Sequence, residues 1–304
     1  MTADTTATTP DPTPEQGPPL WQSQPVGILG LGLIGGSLGL DLMARGAEVR
    51  ALVHRPATAE RAQQRGLATE VSTDPSVLAG CGLVVLALPL DRLLEPSEAW
   101  LAAVSADAVV TDVGSVKAPV LERWHHQFPR FVASHPMAGT AQAGVEAGVP
   151  NLFAGRPWVA TPTASTDPAA LLAVQQLAEA VGAQWLLCDA RAHDQAVALI
   201  SHLPVLVGAA LLQAAAGGAA DAGGGMPELV RTLASSGFAD TTRVGGGNPE
   251  LGSLMARTNR PALLTALAAY RQSLEALEQQ LEAGQWQALE EALQIAHQLR
   301  PEFL

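Results

Sequence analysis

"GILGLGLIGGS", residues 27–37, sets Gly30, Gly32 and Gly35 in the spacing G-x-G-x-x-G directly after a short apolar run. In this spacing the first glycine permits a tight turn. The second lets the backbone approach a pyrophosphate, and the third lets a helix pack closely on the preceding strand. The helix that follows offers free amides and the positive end of its dipole to phosphate. The spacing alone is weak. Here it ends a strand, opens the helical stretch "GGSLGLDLMARG" and begins an alternating series, so it predicts a dinucleotide-binding turn. Leu33 and Ile34, inside the motif, belong to the same predicted site.

Working outward, "AEVRALVHR", "GLVVLALP", "DAVVTDVGS", "RFVASHP", "RPWVATPT" and "QWLLCD" read as strands, with helical segments between most of them. The continuous apolar run "GLVVLALP" suits a parallel strand covered on both faces. Strand–helix alternation over residues 25–189 predicts an α/β, Rossmann-type doubly wound parallel sheet. Residues 190–304 carry no strand signal. They open on the long apolar helix "HDQAVALISHLPVLVGAALLQAAAG", with a kink expected at Pro204. A loop, "GGAADAGGGMPE", and further helices follow. Helices apolar around much of their circumference predict burial against a second subunit, hence a homodimer through this all-helical domain.

Residues 1–24 are rich in Thr and Pro and lack the basic and apolar regions of a secretory signal, so a disordered tail is expected. The apolar runs are broken by Gly, Pro or polar residues short of a membrane span. A net charge of −12 opposes nucleic acid and anionic membrane surfaces, so no nucleic-acid or membrane partner is expected. Cys81 and Cys188 stand in no metal spacing and read as small buried residues, which predicts no metal and a cytoplasmic location. With 48% hydrophobic but only 4% aromatic residues, Ala, Leu and Val must fill the core.

The tip of the second strand bears on the cofactor. A carboxylate there would hold the ribose 2′-hydroxyl of NAD. This chain has His54 and Arg55, with no carboxylate before Glu60. A cationic tip suits the 2′-phosphate of NADP, with Arg55 as the forked donor and Thr58 as a second contact.

Three more loops fall at carboxyl ends of strands: "ALPLD" (87–91), which contributes Leu88 and Pro89 to the cofactor site, "TDVGSVK" (111–117) and "SHPMAG" (134–139). They bring Ser115, Lys117 and His135 toward the place where a nicotinamide would lie. From composition alone His135 reads more readily as a structural histidine than as a base. Together with "HDQAVALISHLP" and "ASSGFADTTRVGGGNPEL", however, these stretches resemble the prephenate/arogenate dehydrogenase family of tyrosine biosynthesis, from Pro25 onward. "ISHLPV" and "TTRVGGGNPELG" look most like its NADP-dependent arogenate dehydrogenase branch.

The resemblance implies oxidative decarboxylation of a small cyclohexadiene substrate. Hydride leaves C4, the C4 hydroxyl loses its proton, and the C1 carboxylate departs as CO2. It implies His135 as the base, Ser115 as a hydrogen-bonding partner of the C4 oxygen, and Arg243 as the cation for the ring carboxylate. Asp240 would orient that arginine or meet the substrate amine, and His202 would face the cleft or pack the helix. Lys117 would pair with a carboxylate, and His193 has no assigned role. Two departures stand out. Val205 occupies a place where many prephenate dehydrogenases carry a histidine near the side-chain carboxylate, which favours arogenate. Gly252 stands where tryptophan is frequent. The alternatives are a prephenate dehydrogenase giving 4-hydroxyphenylpyruvate, or a dual-substrate cyclohexadienyl dehydrogenase. A non-catalytic sensor would need no base. A β-hydroxyacid dehydrogenase would carry a lysine on the long helix, whereas Lys117 is the only lysine in the chain.

Overall fold

A computed structural model describes residues 18–140 and 142–303. The chain runs α1 (Leu20–Ser23), β1 (Val26–Leu29), α2 (Leu33–Met43), β2 (Val49–Leu52), α3 (Pro56–Gln64), β3 (Glu70–Ser72), β4 (Leu83–Leu86), α4 (Leu90–Leu94), α5 (Glu98–Leu101), β5 (Val109–Asp112), α6 (Ala118–Trp124) and β6 (Phe131–Val132). These strands form one parallel sheet in the order β3-β2-β1-β4-β5-β6. The order reverses between β1 and β4, and ligands of such sheets bind outside the carboxyl ends at that point.

A second, three-stranded sheet follows: β7 (Ser134–Pro136), β8 (Pro157–Ala160) and, after α7 (Pro168–Ala180), β9 (Gln184–Leu187). β7 is antiparallel to β8, with His135 opposite Val159, and β8 is parallel to β9. The stretch read as one strand, "RFVASHP", therefore divides between two sheets. The physical cause is a contact between strands: the Ser134 amide donates to the Asp112 side chain at 3.0 Å, not to a parallel ladder, so the chain turns off the first sheet.

Apolar residues on both faces of the main sheet build two cores. Val26, Ile28 and Val85 pack with α2, α3 and α7, while Leu29, Val84 and Leu86 pack with α4 and α6. Aliphatic residues fill most of this space. The few aromatics are concentrated, Trp100 on Trp124 at 5.5 Å between ring centroids and Trp124 on Phe128 at 5.9 Å. Cys81 is buried as expected, but Cys188 is only half-buried. The expected tail falls partly outside the described residues. Within them, its last part is ordered instead, because α1 buries Trp21 against the first core.

The helical part comprises α8 (Ala190–Val197), α9 (Leu203–Ala222), α10 (Met226–Leu233), α11 (Ser236–Thr242), α12 (Pro249–Thr258), α13 (Arg260–Glu282) and α14 (Trp286–Leu299). α8 and α9 are joined by a π turn over Ala198–His202. It ends just before Pro204, widening the helix where the proline ring and missing N–H would otherwise force a kink. The helix then continues through "GGAADA", so the expected loop shrinks to residues 223–225, where Gly223 and Gly224 take positive φ. Ala190–Ala222 is long and apolar enough to cross a membrane by length and composition, contrary to the sequence expectation. It nevertheless buries His193, Asp194 and His202 and packs on α10, α11 and α13. α12 was not expected as a helix. Its start is Asn248, whose side chain accepts the Glu250 amide, followed by Pro249 in the first turn.

Candidate active site

The carboxyl edge of the main sheet is shaped by its glycines. Gly30 has φ +91°, and a Cβ there would lie 2.4 Å from the Ala87 carbonyl; one on Gly35 would lie 2.0 Å from the Gly30 carbonyl. Both positions exclude any side chain. A Cβ on Gly32 would meet nothing within 4 Å. That residue is the N-cap of α2 and has no side-chain cap, so the first amides of the helix face open space. This is the cradle that a pyrophosphate needs, and it fits a dinucleotide. Leu33 and Ile34 are partly exposed beside it, and Leu88 lies over Gly30. Pro89 is exposed at the start of α4. His54 and Arg55 are exposed at the end of β2, with Arg55 Nε donating to His54 Nε2 at 2.7 Å, and Thr58 is half-buried in the first turn of α3.

A buried polar platform joins the loop of Ser115 to the strand of His135. Lys117 has no solvent exposure. Its ammonium donates to Asp112 Oδ2 and, at 2.6 Å, to the Ser134 carbonyl. Asp112 also accepts the Gly114 amide at 2.8 Å and the Ser134 amide at 3.0 Å. Ser134 Oγ donates to the Asp112 carbonyl and accepts the Trp158 indole N–H. Burial pushes the Asp112 carboxyl up and the Lys117 ammonium down, and their mutual attraction opposes both shifts. The carboxylate that the sequence reading sought for Lys117 is therefore Asp112. Ser115 is half-buried on the pinned loop, and its hydroxyl makes no hydrogen bond to another described residue.

His135 is half-buried at the end of this platform. Its Nδ1 lies 2.9 Å from His193 Nε2, and His193 Nδ1 lies 2.9 Å from Asp194 Oδ1. Asp194 reaches from α8 to cap α6, accepting the Lys117 amide at 2.7 Å and the Ala118 amide at 2.9 Å. Asn259 Nδ2 donates to the Asp194 carbonyl and lies 3.2 Å from His202 Nδ1. His202 is buried, with no partner for Nε2. Burial first, and then the Lys117 charge, His193 and His202, hold the His135 pKa well below the usual imidazole value. Burial likewise lowers His202. At neutral pH His135 is thus an unprotonated imidazole able to accept a proton.

The sequence reading left His193 without a role and did not single out Asp194. A signal was present: Ala190, His193, Asp194 and Val197 follow the i, i+3, i+4, i+7 pattern of a buried helix face, and two of the four are polar. The structure does not join Arg243 and Asp240 to this cluster. Both are exposed on or just after α11, which packs on α9. No ion pair or hydrogen bond links them to each other or to His135 among the described residues. The two departures from the family pattern meet, however. A Cβ on Gly252 would lie 3.5 Å from Val205 Cγ1, where α9 and α12 approach the α4 side of the sheet.

An open phosphate cradle at the carboxyl edge of the main sheet, with an unprotonated imidazole on the strand that leaves that sheet after β6, supplies the parts of a nucleotide-dependent dehydrogenase. Residues 38–200 match the family model of the prephenate dehydrogenase nucleotide-binding domain, and residues 189–295 that of the prephenate dehydrogenase dimerization domain. The chain therefore belongs to the prephenate dehydrogenase family and is an oxidoreductase of that family. It is 42% identical to the crystal structure of Synechocystis arogenate dehydrogenase, with a TM-score of 0.77 over 92% of this chain and 100% of that one. It is 28% identical to prephenate dehydrogenase from A. aeolicus, in complex with hydroxyphenyl propionate and NAD+, with a TM-score of 0.84 over 92% and 98% of the two chains. It is 31% identical over 257 residues to cyclohexadienyl dehydrogenase of Zymomonas mobilis, covering 83% of this chain and 86% of that protein.

Proposed function

We propose that this protein oxidatively decarboxylates L-arogenate to L-tyrosine with NADP as the hydride acceptor. The observation that carries the substrate choice is the approach of Val205 to Gly252. Where many prephenate dehydrogenases place a histidine for a keto-acid side chain, this chain presents an apolar wall beside a residue without a side chain. Arogenate brings its own ammonium group, so a cationic partner there matters less. Similarity to the Synechocystis enzyme supports the same reading. The cofactor choice rests on His54 and Arg55 at the tip of β2, with no carboxylate beside them.

Bound NADP would take the hydride from C4. His135 accepts the C4 hydroxyl proton, and the Ser115 hydroxyl bonds the C4 oxygen. Arg243 holds the C1 carboxylate until its bond to the ring breaks. The electron pair of that bond then enters the ring as CO2 leaves, and the phenolic oxygen takes the proton back from His135. No net proton is released, so His135 acts as base and then as acid in one turnover. Exposed Leu199, Ile200, Trp286 and Ile295 on the helical part are apolar surface that a second copy of the chain would cover, giving a homodimer.

The test is NADPH or NADH formation with arogenate and prephenate in parallel, each with NADP and NAD. Arogenate with NADP is expected to give the highest kcat/KM; prephenate preferred over arogenate, or equal efficiency with NAD, would overturn the reading. Arg55→Ala should weaken NADP binding by about 10–100-fold, the loss of one charge-assisted contact of about 1.5–3 kcal/mol, and leave NAD binding unchanged. By the same arithmetic, Arg243→Ala should raise the KM for arogenate by about 10–100-fold. An unchanged KM would remove Arg243 from the carboxylate site.

A further inference from the structure

We infer that His193 and Asp194 are positioning residues that lock His135 into the one tautomer able to take the substrate proton. The inference rests on His135 as the base proposed above, and it follows from the direction of the hydrogen bonds. An aspartate carboxylate only accepts, and Asp194 already accepts two backbone amides, from Lys117 and Ala118. Its contact with His193 must then be donated by His193 Nδ1–H. A neutral imidazole with its proton on Nδ1 has a bare Nε2. The 2.9 Å contact to His135 must therefore be donated by His135 Nδ1–H. This leaves His135 Nε2 without a proton and available to a substrate hydroxyl.

The chain of bonds runs from the helical part into the edge of the sheet. Asn259, between α12 and α13, holds the Asp194 carbonyl, so the register of α8 against α6 is fixed from both sides. When His135 takes up the C4 proton, its Nδ1–H points along a line of acceptors that ends on a carboxylate, which stabilises the imidazolium until the proton returns. The charged and titratable groups facing the pair are Lys117, Asp194 and His202, with Asp112 behind Lys117.

The test compares His193→Leu and His193→Gln with wild type, using arogenate and NADP. The leucine variant removes the acceptor. Its kcat should fall about 30-fold, a share of the 10²–10⁴ that a positioned base supplies, while the KM for arogenate stays within threefold. The glutamine side chain presents an amide oxygen near the former Nε2 position and should restore kcat to within about fivefold of wild type. In parallel, 15N NMR of the imidazoles, with His135 assigned by difference from His135→Ala, should show the Nδ1–H form in wild type and a mixture in His193→Leu. A leucine variant with kcat within threefold of wild type, or a wild-type His135 protonated on Nε2, would overturn the inference. If wild type turns over neither arogenate nor prephenate, the functional reading fails by itself, and the NMR result still decides the tautomer.

Discussion

His135→Ala is expected to lower kcat by about 10³-fold, within the range a positioned general base supplies, while binding of the cofactor is retained. The separation follows from the architecture. His135 belongs to β7 in the second sheet, whereas the glycine turn and the first turn of α2 lie at the end of β1 in the first. Removing the imidazole leaves the cradle at Gly30, Gly32 and Gly35 untouched. The check is steady-state turnover beside a fluorescence titration with reduced cofactor. A variant with kcat within a few-fold of wild type would remove His135 from the reaction. The pH dependence of the wild type carries its own expectation. Burial and the Lys117 charge hold His135 well below the usual imidazole range. Its base form therefore persists as pH falls through the region where a free imidazole becomes charged.

The second large effect is on stability. Lys117→Met would leave Asp112 buried with no countercharge, and losing one partner of a buried pair costs about 3–5 kcal/mol. The sign of the pH dependence is fixed by Asp112, whose carboxyl burial already raises. Without the ammonium it rises further above the unfolded-chain value. The penalty is absent where both states are protonated and grows as pH increases through and above the ordinary aspartate range. Urea denaturation midpoints of the variant should fall further below wild type at pH 8 than at pH 5. Adding Asp112→Asn to Lys117→Met should recover most of the loss, because the uncompensated charge is gone and the Asn oxygen still accepts one of the two backbone amides. A single variant as stable as wild type at both pH values would show that the pair carries no such burden.

The pattern of the main sheet could be read in advance because its causes are local. The glycine turn, the alternating apolar runs and the lack of strand signal after residue 190 each depend on a few neighbouring residues. What could not be read depends on contacts between distant residues. Ser134 leaves the sheet because the Asp112 side chain captures its amide, a contact between strands that no local pattern encodes. α12 was missed because the apolar periodicity around "GGGNPELG" is weak, although Asn248 and Pro249 carry the start signal. At the candidate site, the stretches that carry His135 and Ser115 stood out in the sequence, and the buried platform of Asp112, Lys117 and Ser134 joins them. His193 and Asp194 were not, since a helix face that alternates Ala, His, Asp and Val looks like a core face until the partner of each polar group is known. Lys117 lay between the two cases. Its type suggested an ion pair, but its full burial between Asp112 and the Ser134 carbonyl depends on β7 folding back over the loop, which no local pattern shows.

That burial also has a chemical consequence. The chain's only lysine side chain is sealed beneath the Ser115 loop, so the native fold offers amine-directed reagents no ε-amino group at all. Surface coupling through lysine, by acylating labels or amine cross-linkers, will fail on the folded protein. Acylation of Lys117, read by peptide mass, would instead report that β7 and the Ser115 loop have come apart. One side chain thereby serves as an internal gauge of whether the candidate active site is assembled.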